Sequence, residues 1–458
     1  MVKLLGREPE LQRLEKQWAL LERGPQLILL SGRRRVGKTS LVAEFARRRR
    51  SLFFTATREA PAVQLKRFAE SVSAINSTAN STIPVPSTFA NWHEALLFVA
   101  ALAQSEPLLV VIDEVPYLHE VDEAFGSVVQ SAWELILHSS VPSKLCLLLT
   151  GSSRRVMNRL TEGGGPLYGR AELHLRLEPF TFEHCRAFVP KLKPEDRLLA
   201  YAVTGGYPRH LLAWDNEVSL PENVRNLVRP GSLLYDDAPL IVNEEFPTGV
   251  GFERILLAIG RGRHSFGEIK TDADLRIEAP LATLEQVGLV RGEQPLAGPR
   301  RSAAHYVIAD PYLRFWFGPL TRIRQGLELG GDASLVLRTG VWETHVGSIF
   351  EDEARRHGAR MVLAGELPES FVGRWWRTGR QAVEIDVAGR CDDRFVFAGE
   401  AKWSSTITGE PQFNRLRASA NRAFGEDETR IHAIWSRKRV RTKSALDRSF
   451  SLDDMAKV

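Results

Sequence analysis

The sequence is poor in cysteine: Cys146, Cys185 and Cys391 lie far apart and form no CxxC pair. That spacing excludes a disulfide framework and a paired-cysteine zinc site, and it fits a reducing compartment. No apolar run approaches the ~20 residues that a membrane-spanning helix needs; runs such as "LILL" and "LLVVI" are far too short. The opening "MVKLLGREPE" lacks the apolar stretch of an export signal, so a soluble chain in the cytoplasm, with no membrane partner, is expected. There is no internal repeat and no low-complexity tract, which excludes solenoids and linker-like proteins. Neither sign of charge dominates: 61 basic against 56 acidic residues leave a net +5. That balance permits a nucleic-acid partner without demanding one. Most of the positive charge is arginine, the side chain best suited to bidentate phosphate contacts.

What is present is an ordinary globular composition, 43% hydrophobic and 26% charged over 458 residues. That length suggests about three domains. Buried-looking strands, "PQLILLSG", "LFFTAT", "PLLVVIDEV" and "KLCLLLTGSS", alternate with helical stretches up to about residue 180. Continuous apolar strands separated by helices predict an α/β domain with a parallel sheet. Residues 71–88, rich in Ser, Thr, Asn and Pro, read as an excursion from it. Short helices follow over 181–245 and predict a helical lid. Residues 246–326 read as three helices and a two-stranded wing, the winged-helix pattern. "LELGGDAS", 327–334, reads as a linker, and 335–458 as a final α/β domain in the order helix, strand, strand, helix, strand.

The most specific motif is "GRRRVGKT", residues 32–39, which satisfies G-x-x-x-x-G-K-[ST] between an apolar strand and a helix. Gly32, Arg33, Arg34, Arg35, Val36 and Gly37 would wrap backbone N–H groups around phosphate oxygens. Lys38 would reach the β- and γ-phosphates of ATP, Thr39 would hold Mg²⁺, and Ser40 would open the helix whose positive end favours anions. "LLVVIDEV" delivers Asp113 and Glu114 to the carboxyl end of a buried strand. Asp113 is the candidate for holding Mg²⁺ through water, and Glu114 for activating the attacking water. "LLLTGSS" puts Thr150 and Ser152 at another strand end, where either could sense the γ-phosphate or simply close a turn. Arg170 in "PLYGR" is a candidate γ-phosphate arginine, within one subunit or across two; an oligomer stays open. In "GGYPRHL", Pro208 opens a helix and Arg209 stands at its start.

The ordered set "LLGREPELQRL", "GRRRVGKT", "LLVVIDEV", "LLLTGSS", "PLYGR" and "GGYPRHL" resembles the archaeal-type ATPases of the AAA+ superfamily, close to the signal-transducing NTPases, over roughly residues 4–215. The resemblance implies that Gly6 and Arg7 lie by the adenine and that Gly206-Tyr207-Pro208 marks a nucleotide-sensing lid. It extends to a winged-helix segment. The recognition-type helix there carries Glu278 and Glu285 and no arginine; Arg291, Arg300 and Arg301 fall on the wing as candidate phosphate contacts.

The C-terminal stretch "AVEIDVAGRCDDRFVFAGEAKW", 382–403, holds two strand-like runs around a turn at "GRCDD". Alternation puts Glu384 and Asp386 on one face of the first run, and Glu400 and Lys402 on one face of the second. Pairing the runs would gather Asp386, Glu400 and Lys402. A helix upstream carries Glu351. A helical Glu followed by D…E-x-K resembles the PD-(D/E)xK nucleases. Residues 340–440 also resemble the C-terminal domain of the same ATPases, of unknown function and restriction-endonuclease-like fold. The resemblance implies Glu351, Asp386 and Glu400 as ligands for Mg²⁺ or Mn²⁺, with Lys402 serving the reaction. The competing expectation is a hairpin with a solvated, charged outer face. Two functions remain open: an ATP hydrolase coupled to a nuclease-like domain acting on DNA, or an ATP-dependent switch for a protein or DNA partner whose nuclease-like domain is silent.

Overall fold

The computed structural model describes residues 4–78, 83–246, 251–298, 304–404 and 409–457. The chain divides into two units, 1–179 and 180–458.

The first unit is built on five parallel strands: β1 (Gln26–Gly32), β2 (Ser51–Thr55), β3 (Leu108–Asp113), β4 (Leu145–Gly151) and β5 (Leu173–Leu177). They stand in the order β2-β3-β4-β1-β5. The three inner strands are buried almost throughout, whereas β2 and β5 alternate buried with exposed, as edge strands do. Helices Pro61–Thr78, Trp92–Leu102 and Phe125–Leu137 pack an aromatic cluster against one face. Phe68 meets Trp92 edge-on at 5.2 Å, and Trp92 meets Phe125 at 5.7 Å. Helix Trp92–Leu102 starts where the Asn91 side chain accepts from the Glu94 N–H. The expected excursion over 71–88 is corrected in part: residues 71–78 are the last turns of helix Pro61–Thr78, and 79–82 lie outside the described residues.

The second unit opens with short helices, three of which start on proline: Pro194–Thr204, Pro208–Ala213 and Pro311–Phe315. Helices Phe252–Gly260, Phe266–Ala273 and Glu278–Gln286 precede an antiparallel pair, β6 (Val290–Glu293) and β7 (His305–Ile308). Ser265 and Glu268 form a reciprocal capping box at the second of these helices. Of residues 327–334, Glu328 to Asp332 are exposed. Helix Thr321–Glu328 runs into them, and Ala333 and Ser334 are buried at the start of a 3₁₀ turn.

The last domain carries a long helix, Gly340–Leu363, and a mixed sheet of β8 (Phe371–Arg377), β9 (Val383–Cys391), β10 (Arg394–Lys402), β11 (Ile431–Ser436) and β12 (Asp447–Ser451). The order is β12-β11-β10-β9-β8; β8, β9 and β10 pair antiparallel, and β10, β11 and β12 pair parallel. The sequence reading missed β8 and β12. Both are edge strands, and β8 is half exposed along most of its length, so it lacks a clean period of two. The turn between β9 and β10 is only Asp392-Asp393, with Asp392 in the left-handed region at φ 51°.

A buried ion cluster joins the wing to this domain. Asp352 on the long helix pairs with Arg314 at 3.0 Å, Arg291 at 3.3 Å, and Arg355. Burial pushes its carboxyl up, but the three guanidiniums outweigh that and hold it well below the usual carboxylate range. Arg291, the wing arginine, also pairs with Glu293 while its side chain stays 44% exposed; Arg300 and Arg301 lie outside the described residues. Asp352→Asn should strand three guanidiniums and lower stability by roughly 3 kcal/mol, read as a fall in the urea midpoint of the full chain.

Candidate nucleotide site and C-terminal acidic site

The loop after β1 is shaped by two glycines. At Gly32 a Cβ would stand 2.7 Å from the Leu177 carbonyl oxygen, so no larger residue fits. Gly37 has φ 97° and caps helix Lys38–Ala46, whose first turn carries no side-chain cap. Arg35 is also left-handed, at φ 68°. Lys38 is buried, and its Nζ donates to the Gly32 carbonyl at 2.7 Å and the Arg33 carbonyl at 3.3 Å. Thr39, Ser40 and Arg34 are exposed at the helix mouth. The loop thus has the form of an anion cradle: curled backbone, an uncapped helix start and a lysine folded back onto the loop.

Asp113 ends β3 and Glu114 follows it directly. Burial raises the Asp113 carboxyl, the Glu114 charge adds to this, and Lys38 and Thr150 act against it. Glu114 adopts the left-handed region at φ 56°, which costs about 1–2 kcal/mol for a residue with a Cβ. Its carboxylate is held there by Ser152, whose Oγ donates at 2.6 Å and whose N–H donates at 3.2 Å. Ser152 is therefore the orienting group for Glu114, a role the sequence reading did not assign. The signal lay in Gly151, where a Cβ would meet Pro116 Cδ at 2.5 Å: the "DEVP" and "TGSS" segments interlock.

Arg7 is buried. It donates to Glu10 at 2.9 Å, to the Val36 carbonyl at 3.0 Å and to the Glu178 carbonyl at 2.6 Å, so it clamps the phosphate loop to the end of the first unit. Gly6 beside it is left-handed at φ 67°. Arg154, which the sequence reading passed over, pairs with the Glu178 side chain. Arg170 is bound to Glu134 at 2.9 Å and to the Tyr168 carbonyl at 3.3 Å. In the second unit Gly206 is fixed because a Cβ would lie 2.0 Å from the Phe180 carbonyl oxygen. Tyr207 donates to Asp310 at 2.5 Å, Pro208 starts its helix, and Arg209 is exposed on the first turn.

The C-terminal residues converge on one edge of the mixed sheet. Antiparallel register places Val387 opposite Gly399, hence Asp386 beside Glu400. Asp386 Oδ2 accepts from the Ala401 N–H at 2.9 Å. Lys402 Nζ meets Glu400 at 3.0 Å, and Gln412, from helix Gly409–Phe424, donates to the same carboxylate. Arg374 on β8 pairs with Glu384 and, at 3.5 Å, with Glu293. Burial first, and the Asp386 charge second, push Glu351 up to about 7; burial likewise pushes Asp386 up to about 6, with Glu384 and Glu400 adding to it. The carboxylates are thus crowded enough to repel one another. Among the described residues, no group of three or more His, Cys, Asp or Glu is arranged to hold a metal ion. Arg374, Glu384 and Gln412 belong to this site and were not assigned to it from sequence; their signal is only visible once β8 and the following helix are placed.

Residues 4–213 match the family described as an ATPase domain predominantly from Archaea, and residues 316–414 match one described as Archaea bacterial proteins of unknown function. The chain is 26% identical over 418 residues to an uncharacterized protein of Methanocaldococcus jannaschii, with 87% of each covered. Its fold is similar to that of a Walker-type ATPase of Pyrococcus abyssi, with a TM-score of 0.51 and 20% identity, over 69% of this chain and 96% of that one. The match to the ATPase-domain model thus falls on the α/β parallel-sheet core and runs on to residue 213, and a mixed-sheet domain closes the chain. No helix among the described residues is long and apolar enough to cross a membrane.

A pH dependence follows from the raised carboxyls. The folded Glu351 and Asp386 keep protons that the unfolded chain, with ordinary values of 4.5 and 3.8, has released. They therefore cost stability as pH rises from about 4 to about 7. The doubly neutral variant Glu351→Gln with Asp386→Asn should melt progressively higher than the parent across that window, measured as the difference in Tm at each pH. A constant difference would show that the two groups titrate normally.

Proposed function

We propose that the chain binds and hydrolyses ATP in its first unit and uses that cycle to control a C-terminal domain that acts on DNA. The observation that carries the first part is the juxtaposition of Lys38, Asp113 and a strained Glu114 held by Ser152 at adjacent strand ends. Gly32 to Ser40 would hold the phosphates, and Thr39 and Asp113 the Mg²⁺ that neutralises them. The curled loop and buried lysine fit such a ligand. Glu114 would accept the proton of the attacking water, with Ser152 fixing its carboxylate. Thr150, beside Asp113, would face the terminal phosphate. Arg7 and Gly6 would shape the adenine end by holding the loop, and Pro208 and Arg209 belong to the sensing lid. Arg170 would act only after leaving Glu134.

In the C-terminal domain, Asp386, Glu400 and Glu351 would hold Mg²⁺ or Mn²⁺, and Lys402 would steady charge on a cleaved phosphodiester. The support is the crowding of carboxylates that a cation would relieve. A second reading has its own support: Glu400 is already engaged by Lys402 and Gln412, as suits an ATP-driven switch with a silent nuclease-like domain and a protein or DNA partner.

Lys38→Ala should abolish nucleotide binding in a fluorescent-nucleotide titration, while Glu114→Gln should bind ATP and lower its turnover by at least about a hundredfold. Hydrolysis at the parent rate by Glu114→Gln would remove that carboxylate from the mechanism. For the C-terminal site, Mn²⁺ or Mg²⁺ should raise the Tm of the parent but not of Asp386→Asn. The same ions should support plasmid nicking that Lys402→Ala lacks. A cation-dependent Tm without nicking favours the silent switch.

A further inference from the structure

Strand β11 leads into "RKRVRTK", residues 437–443, before β12 begins at Asp447. Strand β10 runs parallel to β11, and their register places Lys402 opposite Ser436. Parallel strands finish at the same edge of a sheet, so this basic run leaves the sheet where Glu400 and Lys402 end β10. A second contact ties the two places together. Helix Gly409–Phe424 sends Gln412 to Glu400, and at Gly409, its first residue, a Cβ would stand 2.9 Å from the Arg441 carbonyl oxygen. The basic run thus packs on the helix start that also reaches the acidic site. Its backbone is held. Ser436 Oγ donates to the Lys438 carbonyl at 2.7 Å, and the Val440 N–H donates to Ser449 Oγ at 2.8 Å. Val440 is buried in the domain core, Arg437 pairs with Glu195, and Arg439 pairs with Asp454 at 2.8 Å. Lys438, Arg441 and Lys443 remain exposed, and among the described residues none of the three has an ion pair. Arg374, Arg394 and Arg417 in the same domain are each bound to a carboxylate.

We infer that Lys438, Arg441 and Lys443 form a docking track that holds the phosphate backbone of duplex DNA beside the acidic site. The inference rests on the reading of the C-terminal domain as one that acts on DNA, and it names the surface that takes the duplex. Asp386, Glu400 and Glu351 repel a polyanion, so a phosphate backbone approaches them only where nearby cations offset that field. Three unpaired cations on a held loop at the same sheet edge supply the offset. From Lys438 to Lys443 the chain reaches at most ~17 Å. That covers about five phosphates of one strand, spaced ~3.4 Å along the duplex axis. Contacts of this kind position the duplex and do not read its sequence.

The test is fluorescence anisotropy of a short labelled duplex against the full chain, over about 50 to 200 mM salt. The parent should bind. Lys438→Gln, Arg441→Gln and Lys443→Gln together should make the slope of log affinity against log salt shallower by roughly 2.7, and each alone by about 0.9, one phosphate contact apiece. The charge-keeping set Lys438→Arg, Arg441→Lys and Lys443→Arg should retain the parent slope. Neutralising Arg13, Lys16 and Arg23, exposed in the first unit, removes the same net charge and should also leave the slope unchanged. Parent binding with an unaltered slope in the triple Gln variant overturns the inference and leaves a DNA-acting chain standing. So does an equal loss in the first-unit control, which is an effect of net charge alone. Absence of duplex binding by the parent at about 50 mM salt overturns the inference and the DNA reading together. Poly-glutamate binding that the triple Gln variant loses would then assign the run to an acidic protein.

Discussion

The parallel register of β1, β3 and β4 is the constraint on which the nucleotide site depends. Leu30 lies opposite Thr150, and Ile112 opposite Leu149, so Asp113, Thr150 and the root of the phosphate loop reach the sheet edge together. Parallel strands cannot be joined by tight turns; each needs a crossover, and crossovers leave all the carboxyl ends on one side. The apolar interiors of these strands therefore do more than fill a core. A slip of one residue in β3 would turn Asp113 to the opposite face of the sheet. The glycines enforce the same edge: Gly32 lets β5 approach, and Gly151 lets Pro116 approach.

The second unit solves a different problem, that of charge removed from water. Asp352 is surrounded by guanidiniums and stays ionised at little cost. Glu351, one residue away, has Asp386 as its foremost charged neighbour, and its carboxyl rises. Arg374 and Arg355 act on Glu351 in the opposite sense but do not restore it. One turn of helix thus holds one carboxyl pushed down and one pushed up, according to the charges each meets.

Much of this was legible in sequence because it is local. The phosphate loop announces itself through fixed spacing between a strand and a helix, and "VVIDEV" through an apolar run ended by acids. The α/β class followed from alternating periodicities. What escaped was non-local. The Ser152 bond to Glu114 spans 38 residues, and Arg7 to Glu178 spans 171. Such contacts leave no periodic trace. Strand β8 escaped because it is half exposed along most of its length, and β12 because its residues, DRSFS, are mostly polar although three of them are buried. The ion pair of Arg291 with Asp352 spans 61 residues and left no trace in the wing's own sequence.

The acidic site also shows why the presence of motif residues does not define their state. Glu400 accepts from both Lys402 and Gln412, so its charge is largely answered from within. Asp386 receives one backbone N–H and faces Glu384, Glu400 and Glu351. Lys402 is drawn toward all of them: Glu400 holds its ammonium directly, and the charges of Asp386 and Glu351 keep it protonated despite partial burial. The two neighbouring carboxylates thus differ in how they are answered: Glu400 by a side-chain ammonium and a side-chain amide, Asp386 by a single backbone N–H.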